Sequence, residues 1–512
     1  MELGVSYCFD DVLMEPLFSD IKSRSNISLA TNIGTNGRAL MLKTPLISSP
    51  MDTVTEKDMA IKMALSGGLG IIHRYMDIAE QVEHITKVKR FLQYIIQKPY
   101  CITPETTYNE IQDLSNKYNV SSFCVVSSLI HNDFMGIITR RDIEYMKYCV
   151  ELQTLEYTIT VKDMLLIPRS NIITLESSAL TTLENTLKLA KGLMLHNRIE
   201  KIPIITNSKL TGLITLKNIH HYEDNKSKAC IDANGALCVG AAIGIVGDYI
   251  ERLDKLILAG VDLICIDVAN GFNDNVFNAI RIIRTKYPAI VLMAGNVCNW
   301  QGYAALSQYD IDCIRIGVGN GSICTTRLET GIGKGQYSAV AECFQYKIFK
   351  EKDHIPNSFM HMPNIICDGG SLGKTGNKVK ALACGSSAIM LGRTLASTEE
   401  SPGQVIFRNG RRFKYIRGMA STMANISKQE KTASGDKLKT NFTPEGVDGE
   451  QELTGNVADL IDQICGGIKS GMSYLGCANI MQLHKKSSNN EIKFNLVSSI
   501  GMTESGIRIK TY

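Results

Sequence analysis

The chain has no Cys-x-x-Cys pair, although 15 of its 512 residues are cysteine. Scattered cysteines without a repeating Cys/His spacing exclude a zinc site and a disulfide framework, and they fit a reducing compartment such as the cytoplasm. There is no dense Lys/Arg tract and the net charge is only +4, so no nucleic-acid partner is called for. No apolar run reaches membrane-spanning length, and no membrane partner is expected. The N-terminus lacks a basic region followed by a long apolar one, and the last residues, Ile509-Lys510-Thr511-Tyr512, are not a Ser-Lys-Leu peroxisomal ending. What remains is an ordinary globular composition, 44% hydrophobic and 21% charged, with length for roughly two to four domains.

Residues 1–91 open with an irregular polar stretch. Runs 45–49 and 69–73 then read as short strands, and 56–66 and 79–89 as helices. That rhythm implies parallel pairing. It resumes after about residue 229, with strand-like runs at 238–242, 263–268, 290–295, 313–318, 364–367 and 388–391. Helical patterns such as 249–259 and 278–286 separate most of them. Eight such units read as an α/β fold, a (β/α)8 TIM barrel, which places chemistry at the C-terminal ends of its strands. Residues 409–450 are polar and weakly periodic, which suits a mobile flap rather than core. Residues 451–480 return to helix, and the tail from 492 reads as strand and turn.

Between the two barrel segments lies a repeat. Gly136-Ile-Ile-Thr139-Arg-Arg-Asp142 and Gly212-Leu-Ile-Thr215-Leu-Lys-Asn218 are 76 residues apart, and apolar runs 122–127 and 202–205 precede them. A repeat of this size suggests a duplicated small α/β module. It resembles a tandem pair of CBS motifs, a Bateman module. The resemblance implies purine nucleotide effectors held by Thr139 and Asp142, and by Thr215 with Asn218 in place of the acid. An insert that only packs is the alternative. The expected division is thus a barrel of 1–91 and 229–512 and an insert of 92–228, with both insert ends in one βα loop.

The densest chemistry lies in 317–336. Gly317, Gly319 and Gly321 allow a tight turn. Ser322, Cys324, Thr325, Thr326 and Arg327 follow at once. A Gly-rich turn with an inert buried thiol is the plainer reading of such a stretch. The polar company of Cys324 argues instead for a reactive one. Gly321-Ser322-Ile323-Cys324-Thr325-Thr326-Arg327 resembles the catalytic loop of the IMP dehydrogenase and GMP reductase family. Residues 44–56, Asp368-Gly369-Gly370, Met390-Leu391-Gly392, residues 398–403 and Arg417-Gly418-Met419 match the family in the same order. The resemblance covers nearly the whole chain outside about 92–225.

It implies that Cys324 adds to C2 of a purine ring. Thr326 lies close in sequence, and Glu445 in Pro444-Glu445-Gly446 is its implied proton-handling partner. Asp368 is placed on the ribose, and Gly369, Gly370 and Gly392 at the phosphate, with Arg393 either adding a cation or pointing outward. Ser49, Met51, Asn296, Arg315, Ser322, Gly418, Met419, Ala420 and Gly446 match other substrate positions. The carbonyls of Gly319, Gly321 and Cys324 match a monovalent-cation site, K⁺ by resemblance. Asp267, Val268, Ala269 and Asn270, with Val318 and Gly319, match the nicotinamide side. Ser23 and Arg24 match residues that reach NADPH from a neighbouring subunit, which implies a homotetramer, or an octamer with nucleotide.

The family runs hydride in two directions. Its dehydrogenase branch uses a flap Arg-Tyr pair to activate water, and no Arg-Tyr lies between Met419 and Glu445 here; Lys431-Thr432 stand nearest that place. Asp267-Val-Ala-Asn-Gly, Met293-Ala-Gly-Asn-Val297, Thr330-Gly-Ile-Gly333 and Lys22-Ser-Arg-Ser25 lean to the reductase branch. Ile72-His73-Arg74 and residues 444–449 look more like the dehydrogenase. Ala420 replaces a usual Ser, and Phe442 lies near the place of a reductase Arg. The expectation is NADPH-dependent reduction of GMP to IMP and ammonia. Oxidation of IMP to XMP with NAD, or a nucleotide sensor without catalysis, are the alternatives.

Overall fold

The computed structural model describes residues 4–92, 95–97, 99–118, 120–151, 159–164, 171–353, 362–370, 372–421, 424, 443–498 and 500–501. The chain divides into two compact units. One holds Met1–Phe91, Lys228–Asp232 and Leu237–Tyr512, and the other Leu92–Ser227 and Ala233–Ala236.

The first unit is a closed barrel of eight parallel strands. They are β1 (Leu46–Ser48), β2 (Leu69–Ile72), β3 (Val239–Ile243), β4 (Leu263–Asp267), β5 (Val291–Val297), β6 (Cys313–Ile316), β7 (Asn364–Asp368) and β8 (Ser386–Leu391). β8 pairs with β1 and β2 with β3, so no edge stays open. Every strand lies within two residues of its expected run. β6 stops at Ile316, short of 318, because Gly317 turns to φ +146°.

Around the barrel run α1 (Lys57–Leu65), α2 (Ile78–Phe91), α3 (Tyr249–Leu258), α4 (Asp274–Lys286), α5 (Trp300–Ser307), α6 (Gln336–Asp353), α7 (Thr375–Ala383) and α8 (Val457–Tyr474). α8 packs against both α7 and α1 and closes the helical ring. α4 begins four residues before its expected start because the Asn273 side chain caps it, accepting from the Val276 N–H. Inward-facing Ile47, Leu69, Ile71, Leu263, Cys265, Met293, Cys313, Ile366, Ala388 and Met390 fill the interior without exposure. This is a packed core, and the space for a ligand lies above it.

Three expectations need correction. The polar region 409–450, expected as a weakly periodic flap, runs into strands at both ends. Val405–Arg408, Arg411–Arg417 and Asp448–Glu452 form a three-stranded antiparallel sheet. Charged residues hide these strands in the sequence, yet Lys414 and Ile416 point inward. Lys414 Nζ donates to the carbonyls of Ser401 at 2.8 Å and Gly403 at 3.0 Å. The opening stretch is also not wholly irregular: Val12–Met14 pairs antiparallel with Phe494–Leu496. The third correction concerns the insert. The chain leaves the barrel after α2 and returns ahead of β3, so the insert interrupts an αβ connection and not a βα loop.

The second unit has two sheets. One is Cys101–Ile102, Phe123–Val126 and Phe134–Ile138; the other is Leu175–Glu176, Lys201–Thr206, Lys209–Thr215 and Ile95–Ile96. Each repeat segment is a strand running into a helix, Arg140–Glu151 or Leu216–Asn225. Thr139 N–H and Oγ1 both donate to Asp142 Oδ2 at 2.7 Å, and Thr215 Oγ1 accepts from Asn218 N–H at 3.1 Å. Thr215 is thus a helix cap, whereas in the first copy Asp142 reaches back to accept from Thr139. Among the described residues, no helix is long and apolar enough to cross a membrane.

Candidate active site

Seven strand exits converge above the core. Residues at or just beyond the C-terminal ends of β1, β2, β4, β5, β6, β7 and β8 line one cavity of about 870 Å³, joined by Gly418, Met419, Ala420 and Glu445. This size and position suit a small polar ligand.

Cys324 stands half-buried on the loop after β6, its N–H donating to the Gly321 carbonyl at 3.1 Å. Its Sγ–H points at Thr326 Oγ1, 3.2 Å away. Thr326 Oγ1 donates in turn to Glu445 Oε2 at 2.8 Å. A thiol, a hydroxyl and a carboxylate therefore form one proton-conducting chain. Backbone pairing delivers the carboxylate. Thr325 N–H donates to Glu445 O at 2.9 Å, Val447 N–H to Ile323 O at 3.0 Å, and Glu445 N–H to Ala420 O at 3.0 Å. Cys324 and Gly446 face each other as an antiparallel bridge. Gly418 is needed for the same approach: a Cβ there would stand 3.1 Å from Gly446 Cα.

Asp368 ends β7 and is held from two sides. Arg315 Nη2 donates to its Oδ2 at 2.9 Å, and Asn296 Nδ2 to the same oxygen at 2.9 Å. Arg315 is only 5% exposed. Its Nη1 reaches Asp267 Oδ1 at 2.8 Å, so one guanidinium ties the Asp267 and Asp368 sides of the cavity together. Burial opposes that charge, but Cys265, Asp368 and Asp267 outweigh it and hold the group well above its ordinary range. Gly369 and Gly370 follow at φ +76° and +85°. A Cβ on Gly370 would lie 2.5 Å from the Gln336 side chain. Gly392 precedes a single helical turn, Arg393–Ala396, and abuts Met51. Arg393 turns to Gln451, donating from Nε at 3.1 Å.

Ser49, Met51, Ser322, Met419, Ala420, Val268, Ala269, Val318 and Gly319 also line the cavity. Ser23, Arg24 and Asn270 do not. Ser23 and Arg24 are exposed at a short turn, where Ser23 Oγ accepts from the Ser25 N–H at 3.3 Å. Asn270 is exposed and caps its own loop, accepting from Phe272 N–H at 3.0 Å. Lys431, Thr432 and Phe442 lie outside the described residues.

Further residues form or brace the wall: Tyr75 and Gln336 were not singled out from the sequence, and Arg74 appeared there only within Ile72-His73-Arg74. Arg74 and Tyr75 line the Asp267 side, with the Arg74 guanidinium 5.3 Å from the Tyr75 ring centre. Tyr75 OH donates to the Met419 carbonyl at 3.0 Å, and Arg417 Nε donates to Asp52 Oδ2 at 2.7 Å. Asp52 N–H also donates to the Met419 sulfur at 3.3 Å, so Met419 is held at both its carbonyl and its side chain. Gln336 Nε2 donates to Ile316 O at 2.7 Å and Asn320 Nδ2 to Asp368 O at 2.9 Å, locking the exits of β6 and β7 together. Gln336 closes the glycine-rich stretch, which was its only signal. Three polar atoms of the wall, Asn296 Oδ1, Arg74 Nε and Arg315 Nε, are buried without a hydrogen-bond partner. Such atoms suit a polar ligand that completes the site. Among the described residues, no group of three His, Cys, Asp or Glu side chains could hold a metal ion.

The family described as IMP dehydrogenase / GMP reductase domain matches residues 6–508. The inosine-5'-monophosphate dehydrogenase of Nitrosopumilus maritimus is 36% identical, covering 99% of this chain and 98% of that protein. The enzyme of the same name from Bacillus subtilis is 36% identical over 97% of this chain and 94% of its own. Among solved structures, a cysteine-to-alanine variant of GMP reductase from Trypanosoma brucei, in complex with guanosine 5'-monophosphate, superposes with a TM-score of 0.85 at 32% identity, covering 99% of both chains. The same reductase in complex with guanosine 5'-triphosphate gives 0.75 at 28% identity, over 97% of this chain and 99% of that one. The chain belongs to the IMP dehydrogenase and GMP reductase family, oxidoreductases of purine metabolism that use a nicotinamide cofactor.

Proposed function

We propose that this protein is a GMP reductase, converting GMP, NADPH and protons to IMP, NADP⁺ and ammonium. The observation that carries the reading is the Cys324–Thr326–Glu445 chain standing in a sequence with no Arg-Tyr pair between Met419 and Glu445. A thiolate with a proton relay can form and protonate an adduct; water has no evident activator.

Cys324 Sγ adds to C2 of the purine while its proton passes towards Thr326. Thr326 and Glu445 return protons to the 2-amino group, which leaves as ammonia. A bound reduced nicotinamide supplies the hydride that C2 receives, on the side of Asp267, Val268 and Ala269. Expulsion of Cys324 then releases IMP. Asp368, steadied by Arg315 and Asn296, is placed for the ribose hydroxyls. Gly369, Gly370 and Gly392 open backbone N–H groups to the phosphate. Asn296 Oδ1 and Arg74 Nε, buried in the cavity wall without a hydrogen-bond partner, favour a polar ligand there.

The wider assignment follows the same reading. The carbonyls of Gly319, Gly321 and Cys324 would hold K⁺. Ser23 and Arg24 would serve the NADPH of a neighbouring subunit in a homotetramer. The insert, as a CBS pair, would bind purine nucleotides at Thr139, Asp142, Thr215 and Asn218, with an octamer as one outcome. The dehydrogenase reading stays open because residues 444–449 and the 36%-identical relatives favour it.

The test supplies purified protein with GMP plus NADPH, and separately with IMP plus NAD⁺, and follows absorbance of the reduced cofactor. NADPH oxidation with ammonia release supports the reductase. Rapid NADH production with XMP as product would replace it by the dehydrogenase. Protection of Cys324 from alkylation by GMP, with neither turnover, would leave a nucleotide sensor.

A further inference from the structure

Lys378 is an unusual buried residue. It is 0% exposed, near the start of α7. Among the described residues its Nζ has one hydrogen-bond partner, the Gly373 carbonyl at 3.3 Å, and no carboxylate. A buried ammonium without an acid is costly. Burial accordingly pulls its pKa down to about 8.

The direction of the side chain gives the charge a place. Helical side chains lean towards the N-terminus of their helix. That lean, and the bond to Gly373, set the ammonium behind residues 372–374, which line the cavity. α7 starts at the same loop, and Lys374 makes no side-chain cap bond there. The positive end of the helix and the buried lysine thus bias one short loop with the same sign. The neighbouring lysines are engaged elsewhere. Lys374 pairs with Asp10 at 3.0 Å, and Lys380 Nζ donates to Phe9 O at 2.9 Å and Asn377 Oδ1 at 3.1 Å. The acid at this loop, Asp10, is taken up by Lys374 and the Asn377 side chain, so the Lys378 charge stays without a counter-ion of its own until an anion lies on the cavity side.

We propose that Lys378 is the buried counter-charge for the anionic end of the ligand, a phosphate monoester, acting across the 372–374 loop without touching it. The inference rests on the nucleotide reading given above. It makes Lys378 a positioning residue whose cost is borne by the empty protein and relieved on binding.

The test compares the full-length protein with Lys378→Met, which keeps the length of the side chain and removes the charge. Unfolding midpoints are read without ligand, and affinities for GMP and guanosine by calorimetry. The variant should melt higher than the parent, because an unpaired buried charge is gone. Its GMP affinity should fall about tenfold at low salt, as one buried unit charge acting at short range implies. Guanosine affinity should not change. A variant that melts lower or fails to fold would make the lysine structural and overturn the inference. Unchanged GMP affinity, or equal losses for GMP and guanosine, would also overturn it. A parent protein that binds neither ligand would instead refute the nucleotide reading.

Discussion

Thr326 and Glu445, 119 residues apart in sequence, share one proton: Oγ1 donates to Oε2 at 2.8 Å while accepting from the Cys324 thiol. The relay runs from a strand-exit loop to a segment that is positioned on it by backbone pairing.

That geometry predicts non-additive kinetics. Glu445→Gln should slow turnover by about 10²–10⁴-fold, the range for a proton-handling group. Thr326→Val should cost a similar factor. The double variant should lose little more than either single one, because both interrupt the same chain. Steady-state kcat values decide it, and multiplied losses would separate the two residues.

Arg315 predicts a stability effect. Its guanidinium is the buried link between Asp267 and Asp368. Arg315→Met should cost about 3–5 kcal/mol by leaving two carboxylates without their cation. Arg315→Lys should recover only part, since a point charge cannot span both acids. Denaturant midpoints measure this, and a loss below about 1 kcal/mol would contradict the bridge.

How far the sequence alone reached depends on what kind of contact formed each feature. The barrel strands were readable because apolar runs buried on both faces are nearly continuous. Cys324, Asp368 and the glycine turns were readable because their chemistry is local. Gln336, Tyr75 and the Asp52–Arg417 pair were not, because each acts through a partner distant in sequence. The strands Arg411–Arg417 and Asp448–Glu452 were hidden by their charges: only the fold reveals that Lys414 donates to three carbonyls. Arg393 could be located but not aimed, since its contact with Gln451 depends on a sheet that the sequence reading missed.

Acid should weaken the barrel through His484. Its ring meets the Ser386 carbonyl at 3.1 Å, and burial pushes its pKa from 6.5 down to about 4. The unfolded chain therefore takes up a proton that the folded protein refuses. Stability from this group is complete above about pH 6.5 and is lost as pH falls towards about 4. His484→Gln should flatten that slope in thermal melts across the window. An unchanged slope would rule His484 out as its source.

Removal of the insert should leave the barrel intact. A chain lacking 92–227, rejoined by a short Gly/Ser linker, keeps Cys230, whose N–H donates to Ala64 O at 2.8 Å, and Asp232, which pairs with Lys89 at 2.8 Å. It should be soluble and turn over substrate at a rate near that of the full chain. Insoluble product would show that the barrel depends on the insert to fold.

The pairing of 445–447 with 323–325 carries a consequence for how such enzymes vary. Because amide-to-carbonyl bonds set the position of Glu445, the acid is indexed by backbone register. A slip of one residue would turn its side chain to the opposite face of the pairing. A single insertion between 443 and 447 would therefore abolish the relay at once, although it would leave every residue of the relay in place in the sequence.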